Sequence, residues 1–177
     1  MVMTVLGDSG SGQSTVARKL GELLSVPVLH LDTVFWLPGW NERDRAECAD
    51  IAARFMEQDS WLIEGVYSKL HFHERMEQAD RIILVTLPRL NCLIRAVRRY
   101  YMYRGVSRPD MTEGCPEKFD LDFAWWVVWK GRTKPRRRIL EDVIACYPEK
   151  VTILRSQRQI DRFLEGFHVS QTNHPLP

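Results

Sequence analysis

The chain has 177 residues, 45% of them hydrophobic, and a net charge of +2 drawn from 25 basic and 23 acidic side chains. That length fits one folded domain with a real core, and the balanced charge excludes a protein drawn to nucleic acid or membrane by bulk charge alone. The longest apolar run, Phe123 to Trp129, is far short of a membrane span. No secretory signal is visible, and the four cysteines (Cys48, Cys92, Cys115, Cys146) form no C-x-x-C pair. A soluble protein of the reducing cytoplasm, with neither zinc nor disulfides, is expected.

Taken in order, Val2 to Leu6 is an apolar run that reads as a strand, and Val16, Leu20, Leu23 and Leu24 recur at helical spacing. Between them stands Gly7-Asp8-Ser9-Gly10-Ser11-Gly12-Gln13-Ser14-Thr15. In such a glycine turn successive backbone N–H groups converge on one concavity, and the following helix adds the positive end of its dipole, so a polyphosphate fits there. Gly7, Gly12 and Ser14 match the G-x-x-x-x-G-K-S/T pattern, with Gln13 in place of the lysine. Gly7, Ser9, Gly10, Ser11, Gly12, Gln13, Ser14 and Thr15 are therefore the expected nucleotide site, with the Ser14 hydroxyl as a ligand of magnesium.

Val26 to Asp32 reads as a second strand ending on a carboxylate. In parallel α/β sheets ligands gather at the carboxyl ends of strands, so Asp32 either meets a substrate or caps a local turn. Phe35 to Trp40 is an aromatic, turn-rich loop over substrate or core, and Asn41 to Glu57 reads as a helix. Trp61 to Gly65 is a third strand, and its acid, Glu64, stands where a carboxylate can hold a water of magnesium. His71 and His73 have no metal-ligand spacing and read as surface residues.

Arg81 to Leu87, closed by Pro88, is the clearest buried strand. The helix predicted over Arg89 to Arg104 places Leu90, Leu93, Ile94 and Val97 on the core side, with Arg95 and Arg99 sharing another face. On a phosphate-binding protein such paired guanidinium groups can clamp the phosphates; otherwise they are a solvated face. Gly105 to Asp122 has little periodicity and, with the arginines that bound it, reads as part of a lid over about 105–135. Two helices, Phe123 to Lys130 and Arg132 to Tyr147, follow; Lys134, Arg136, Arg137 and Arg138 can meet phosphate, nucleic acid or solvent. Val151 to Leu154 is the fifth strand and Ser156 to Phe167 the last helix, so residues 1–167 form one domain and 168–177 a frayed tail.

The chain resembles the P-loop kinases of the adenylate-kinase-like group, above all the DNA topology modulation proteins. The resemblance runs nearly end to end, through the glycine loop, His30-Leu31-Asp32 with Phe35-Trp36 and Pro38-Gly39-Trp40, Trp61 to Gly65 with Tyr67-Ser68, Arg75 with Ala79-Asp80, and Arg108 to Met111 through Gly114 to Glu117 and Phe119-Asp120. It implies a three-layer α/β fold with a five-stranded parallel sheet flanked by helices, ATP and Mg2+ as cofactors, and a helical lid. It also implies that Arg95 and Arg99, by their distance from Pro88, bind the transferred phosphate. Phosphotransfer to a nucleotide or a small hydroxyl-bearing metabolite is the expectation, with Asp32 orienting or deprotonating a hydroxyl. The alternative is a nucleotide-binding regulator, or a nucleic-acid-associated protein with little turnover, since Gln13 removes the lysine charge. Oligomeric state is left open.

Overall fold

The computed structural model describes residues 1–172. In chain order the elements are β1 (Val2–Gly7), α1 (Gln13–Leu24), β2 (Val28–His30), α2 (Leu31–Phe35), β3 (Trp36–Leu37), β4 (Asn41–Glu42), α3 (Arg45–Met56), β5 (Trp61–Glu64) and α4 (Phe72–Gln78). There follow β6 (Arg81–Val85), α5 (Arg89–Met102), α6 (Leu121–Val128), a 3-10 turn over Lys130–Arg132, α7 (Lys134–Cys146), β7 (Val151–Leu154) and α8 (Gln157–Thr172). Five strands make one parallel sheet in the order β2-β5-β1-β6-β7, while β3 and β4 form a separate antiparallel ribbon.

The sheet is apolar on both faces, because each strand alternates its side chains between two helical layers. Met3, Val5, Leu62, Ile83 and Val85 pack with Val16 and Leu20 of α1, Cys92 and Ala96 of α5 and Leu164 of α8. Leu6, Ile82 and Leu84 face the other way, onto Met76 of α4 and Val143 of α7, and Trp61 and Ile63 onto Cys48 and Ala52 of α3. The result is the expected three-layer fold. β1 sits at the centre, where the connections change direction and a ligand crevice forms.

Several expectations need correction. The second strand stops at His30; the Thr33 hydroxyl donates to the His30 carbonyl at 2.7 Å, and the chain turns at once into α2, which carries Asp32 in its first turn. The helix expected from Asn41 begins at Arg45, where Asp44 caps the amides of Ala46 and Glu47, because Asn41 and Glu42 pair with Leu37 and Trp36. On α5 it is Leu90 and Ile94 that face solvent and Cys92 and Ala96 that are buried, since only small residues fit against the glycine loop. α4 was not expected, and α8 continues past Phe167 to Thr172; residues 173–177 of the predicted tail lie outside the described residues. The lid remains an expectation; within it, the segment 107–116 is tied down at several points. Gly39 N–H donates to the Gly114 carbonyl at 2.9 Å, Thr112 Oγ1 to the Trp36 carbonyl at 2.5 Å and Trp40 Nε1 to the Pro116 carbonyl at 3.2 Å.

One charged residue is wholly buried in the frame of the site. Arg75 of α4 donates to the carbonyls of Gly65 (3.0 Å) and Tyr67 (3.1 Å) and lies 5.4 Å from the centre of the Phe72 ring. Burial pulls its pKa down to about 10, which leaves it charged at neutral pH. Arg75→Leu strips two carbonyls of charged donors, so it should cost about 2–4 kcal/mol in urea unfolding at an unchanged m value. Arg75→Lys, a point charge without the fork, should restore only part of that.

Candidate active site

A cavity of about 1320 Å3 opens where β1, β2 and β5 end. Its wall includes Gly7, Ser9, Gly10, Gly12, Gln13, Ser14 and Thr15 at one end and Asp32 with Tyr67 at the other, with Arg95 and Arg99 between them. Ser11 is fully buried beneath it, and Glu64 is not on the wall.

Two glycines of the loop are demanded by their backbone angles. Gly10 and Gly12 have φ of 79° and 92°, a conformation that resists a side chain. A Cβ on Gly10 would lie 2.5 Å from the Cys92 carbonyl oxygen, so α5 packs directly on the loop; a Cβ on Gly12 would lie 2.7 Å from Arg95 Nη1. Gly12 is the N-cap of α1 and supplies no side-chain cap, which leaves the first amides of the helix for a ligand. Ser11 Oγ and Gln13 Oε1 are buried without a hydrogen-bond partner, and the Gln13 oxygen lies back against Gly7, where a Cβ would be 3.2 Å away. These features fit a bound polyphosphate. Ser14 stands in the first turn of α1, on the same wall, where its hydroxyl can reach a metal held by that polyphosphate.

Arg95 occupies the space above the loop. Its Nη1 donates to the Ser11 carbonyl at 2.7 Å and its Nη2 to Gln157 Oε1, so a guanidinium stands next to the residue that replaces the lysine. The loop's outer edge is held by Arg132 and Trp126, which the sequence does not single out, and by Arg136 of the basic cluster behind Trp126. Arg132 pairs with Asp8 at 3.1 Å and donates to the Leu87 carbonyl at 2.8 Å. Burial raises the Asp8 carboxyl above its usual range, against the pull of Arg132. Trp126 Nε1 donates to Ser9 Oγ at 3.1 Å, and the Arg136 guanidinium lies 4.3 Å from the Trp126 ring centre.

At the other end, the Tyr67 hydroxyl donates to Asp32 Oδ1 at 2.7 Å, and Arg108 Nη2 is 3.6 Å from Oδ2. The Asp32 side chain keeps 37% of its surface. Burial and the Asp32 charge push the Tyr67 hydroxyl well above the usual phenol range, so it stays a proton donor. Arg108 is nearly buried and also meets Glu117 (3.3 Å) and Asp110 (3.6 Å); Glu117 in turn accepts from Arg99 at 2.6 Å. Burial, then the neighbouring Arg108, lowers the Arg99 pKa, and Glu117 opposes both. Phe35, Trp36 and Tyr67 make an aromatic wall beside Asp32. Arg108, Glu117 and Tyr67 carried a sequence signal only as members of conspicuous motifs, since their partners are distant along the chain.

Glu64, expected at the metal, is 3% exposed and bonded to His30 Nδ1 at 2.9 Å. Burial raises its pKa, chiefly against the hydrogen bond from His30. Among the described residues no group of three or more His, Cys, Asp or Glu side chains is placed to hold a metal ion, and no helix is long and apolar enough to cross a membrane.

No family model matches the sequence, and no curated protein matches it significantly. Solved structures do match. A shikimate kinase from Bacteroides thetaiotaomicron is 14% identical over 97% of this chain and 98% of its own, with a TM-score of 0.50. An uncharacterized protein from Eubacterium ventriosum is 12% identical over 98% and 100%, with a TM-score of 0.51. A shikimate kinase from Acinetobacter baumannii in complex with shikimate is 14% identical over 98% and 94%, with a TM-score of 0.47. The chain has the fold of the P-loop kinases.

The buried Glu64 makes a test of its own. A carboxyl whose folded pKa is raised stabilises the fold below its unfolded pKa and loses that contribution as pH rises through the folded value. Glu64→Gln keeps a hydrogen-bonding partner for His30 without charge. Its urea midpoint relative to wild type should therefore improve as the pH is raised from about 5. A difference that stays flat as the pH rises would show that the carboxyl is not raised.

Proposed function

We propose that the protein is an ATP-dependent kinase that phosphorylates a hydroxyl group on a small, ring-bearing molecule, within the adenylate-kinase-like group and nearest the DNA topology modulation proteins. The observation that carries this reading is a single cavity holding a glycine loop at one end and the Tyr67-bonded carboxylate of Asp32 at the other.

ATP would lie on the loop with its phosphates on the amides that open α1, and the Ser14 hydroxyl would hold the accompanying magnesium, which neutralises phosphate charge. Arg95 faces the β/γ region in place of the missing lysine, and Arg99 stands one helical turn further toward the acceptor. Tyr67 pins one oxygen of Asp32, and the other, 3.6 Å from Arg108 and beyond hydrogen-bond length of it, would accept the acceptor's hydroxyl proton as the new phosphate ester bond forms and the bond to the leaving diphosphate breaks. An acceptor monophosphate needs no such base. Arg108, the buried cation nearest Asp32, is already matched by Glu117 and Asp110, which favours an uncharged acceptor over an anionic one. The aromatic wall offers ring faces for it to stack on.

A coupled assay with ATP and magnesium, run against nucleosides, sugars and polyols beside nucleoside monophosphates, tests the reading. Turnover is expected with the uncharged hydroxyl compounds, and turnover confined to monophosphates would contradict it. Asp32→Asn should lower kcat by about 10²–10⁴ while ATP affinity by calorimetry stays within about twofold. Arg95→Gln should cost about 10²–10³ in kcat/KM. Gln13→Lys should do little in the wild type but recover about tenfold in the Arg95→Gln background, because there it restores a cation beside the loop. Equal gains in both backgrounds would separate Arg95 from the phosphates.

A further inference from the structure

The loop from Gly7 to Thr15 contains a single ionisable side chain, and it is an acid. Asp8 borders the cavity beside Gly7 and Ser9, where a polyphosphate would bring further negative charge. With glutamine at position 13 the loop has no cation of its own to offset it. A carboxylate facing an anion in a partly buried site weakens binding unless a cation is held against it.

That cation is Arg132. Its Nη2 lies 3.1 Å from Asp8 Oδ2, and the same nitrogen donates to the Leu87 carbonyl at 2.8 Å and to Cys92 Sγ at 3.0 Å. Both side chains are largely shielded, with 11% of Arg132 and 17% of Asp8 exposed. The guanidinium is therefore tied to the start of α5 as well as to the loop. Its backbone is held too. A Cβ on Gly131 would lie 2.9 Å from the Trp126 carbonyl oxygen, so the 3-10 turn that carries Arg132 packs closely on α6, and Trp126 itself donates to Ser9 Oγ. Asp8 is on the cavity wall, but Arg132 is not, and neither are Arg89 and Arg137, whose charges also act on the Asp8 carboxyl. Arg132 is thus placed to cancel Asp8 and not to touch a ligand. Arg95, by contrast, stands on the wall itself.

We propose that Arg132 is a positioning residue, the fixed counter-charge that neutralises Asp8 and so lets the glycine loop accept a polyphosphate. This rests on the reading of the loop as a nucleotide site. Without Arg132 the carboxylate would stand uncompensated beside the phosphates, and its repulsion would grow with the number of charges they carry.

Calorimetry of the full chain with AMP, ADP and ATP, each in magnesium and again in EDTA, tests this. Asp8→Asn should bind ATP about three- to tenfold more tightly than wild type in both conditions, because the repulsion goes and the guanidinium stays. Arg132→Gln should bind ATP at least about tenfold more weakly, with a smaller loss for ADP and the smallest for AMP. Asp8→Asn in that background should recover most of the loss. A merely structural role for Arg132 would weaken the three nucleotides alike and could not be repaired at Asp8, and that result would overturn the proposal. An Asp8→Asn variant with unchanged or lower ATP affinity would overturn it even if Arg132→Gln failed to fold, and a drop confined to magnesium would make Asp8 a metal ligand instead. A wild type that binds ATP no better than Arg132→Gln does would overturn the proposal and leave the nucleotide site standing. A wild type with no affinity for ATP would overturn both.

Discussion

The rest of the site depends on how closely the first turns of α5 approach the glycine loop. The Cys92 carbonyl occupies the space that a side chain on Gly10 would need, and Cys92 and Ala96 are small enough to let the helix axis come this near. From that contact the positions of the arginines follow by helical geometry. Arg95 falls above Gly12, and Arg99, four residues on and on the same face, reaches Glu117. A bulkier residue at Cys92 would shift both guanidinium groups relative to the loop together, even though neither would have been altered.

The charges of the cavity fall into two bonded sets. Asp32 is linked through Arg108 to Glu117 and through Glu117 to Arg99, and Arg95 closes on the loop at Ser11 and on α8 at Gln157. In a partly buried site such linked charges are worth more than their separate pairs, and removing one member leaves its partners uncompensated. On the proposed reading the arrangement also explains glutamine at position 13, since a guanidinium, that of Arg95, stands beside the loop on a neighbouring helix and the Gln13 carboxamide lies back against Gly7.

Much of the fold was legible in the sequence because the sheet strands are buried on both faces and therefore read as short apolar runs between turns. β1, β5, β6 and β7 were found for that reason, and the glycine loop because its pattern has a fixed register with its flanking elements. The orientation of α5 was misread because the largest apolar residues were assigned to the core, whereas contact with a glycine loop selects small ones and leaves Leu90 and Ile94 outside. α2, with five residues, and the two-residue strands of the ribbon are too short to carry a period. Glu64 was read toward the cavity because it ends a strand beside the loop, while its neighbour His30, on the adjacent strand in register with it, takes the carboxylate instead. The Asp32–Arg108 and Ser9–Trp126 contacts join segments far apart in the chain, and no local pattern announces them.

The proposal that Arg95 supplies the phosphate cation in place of residue 13 can be tested directly. A crystal structure with magnesium and a non-hydrolysable ATP analogue should show an Arg95 guanidinium nitrogen within about 3 Å of a β- or γ-phosphate oxygen, the ordinary length of a charge-assisted hydrogen bond. The Gln13 carboxamide should make at most a neutral contact. Arg95 still bonded to Ser11 and Gln157, with the phosphates lying elsewhere or met by another cation, would contradict it.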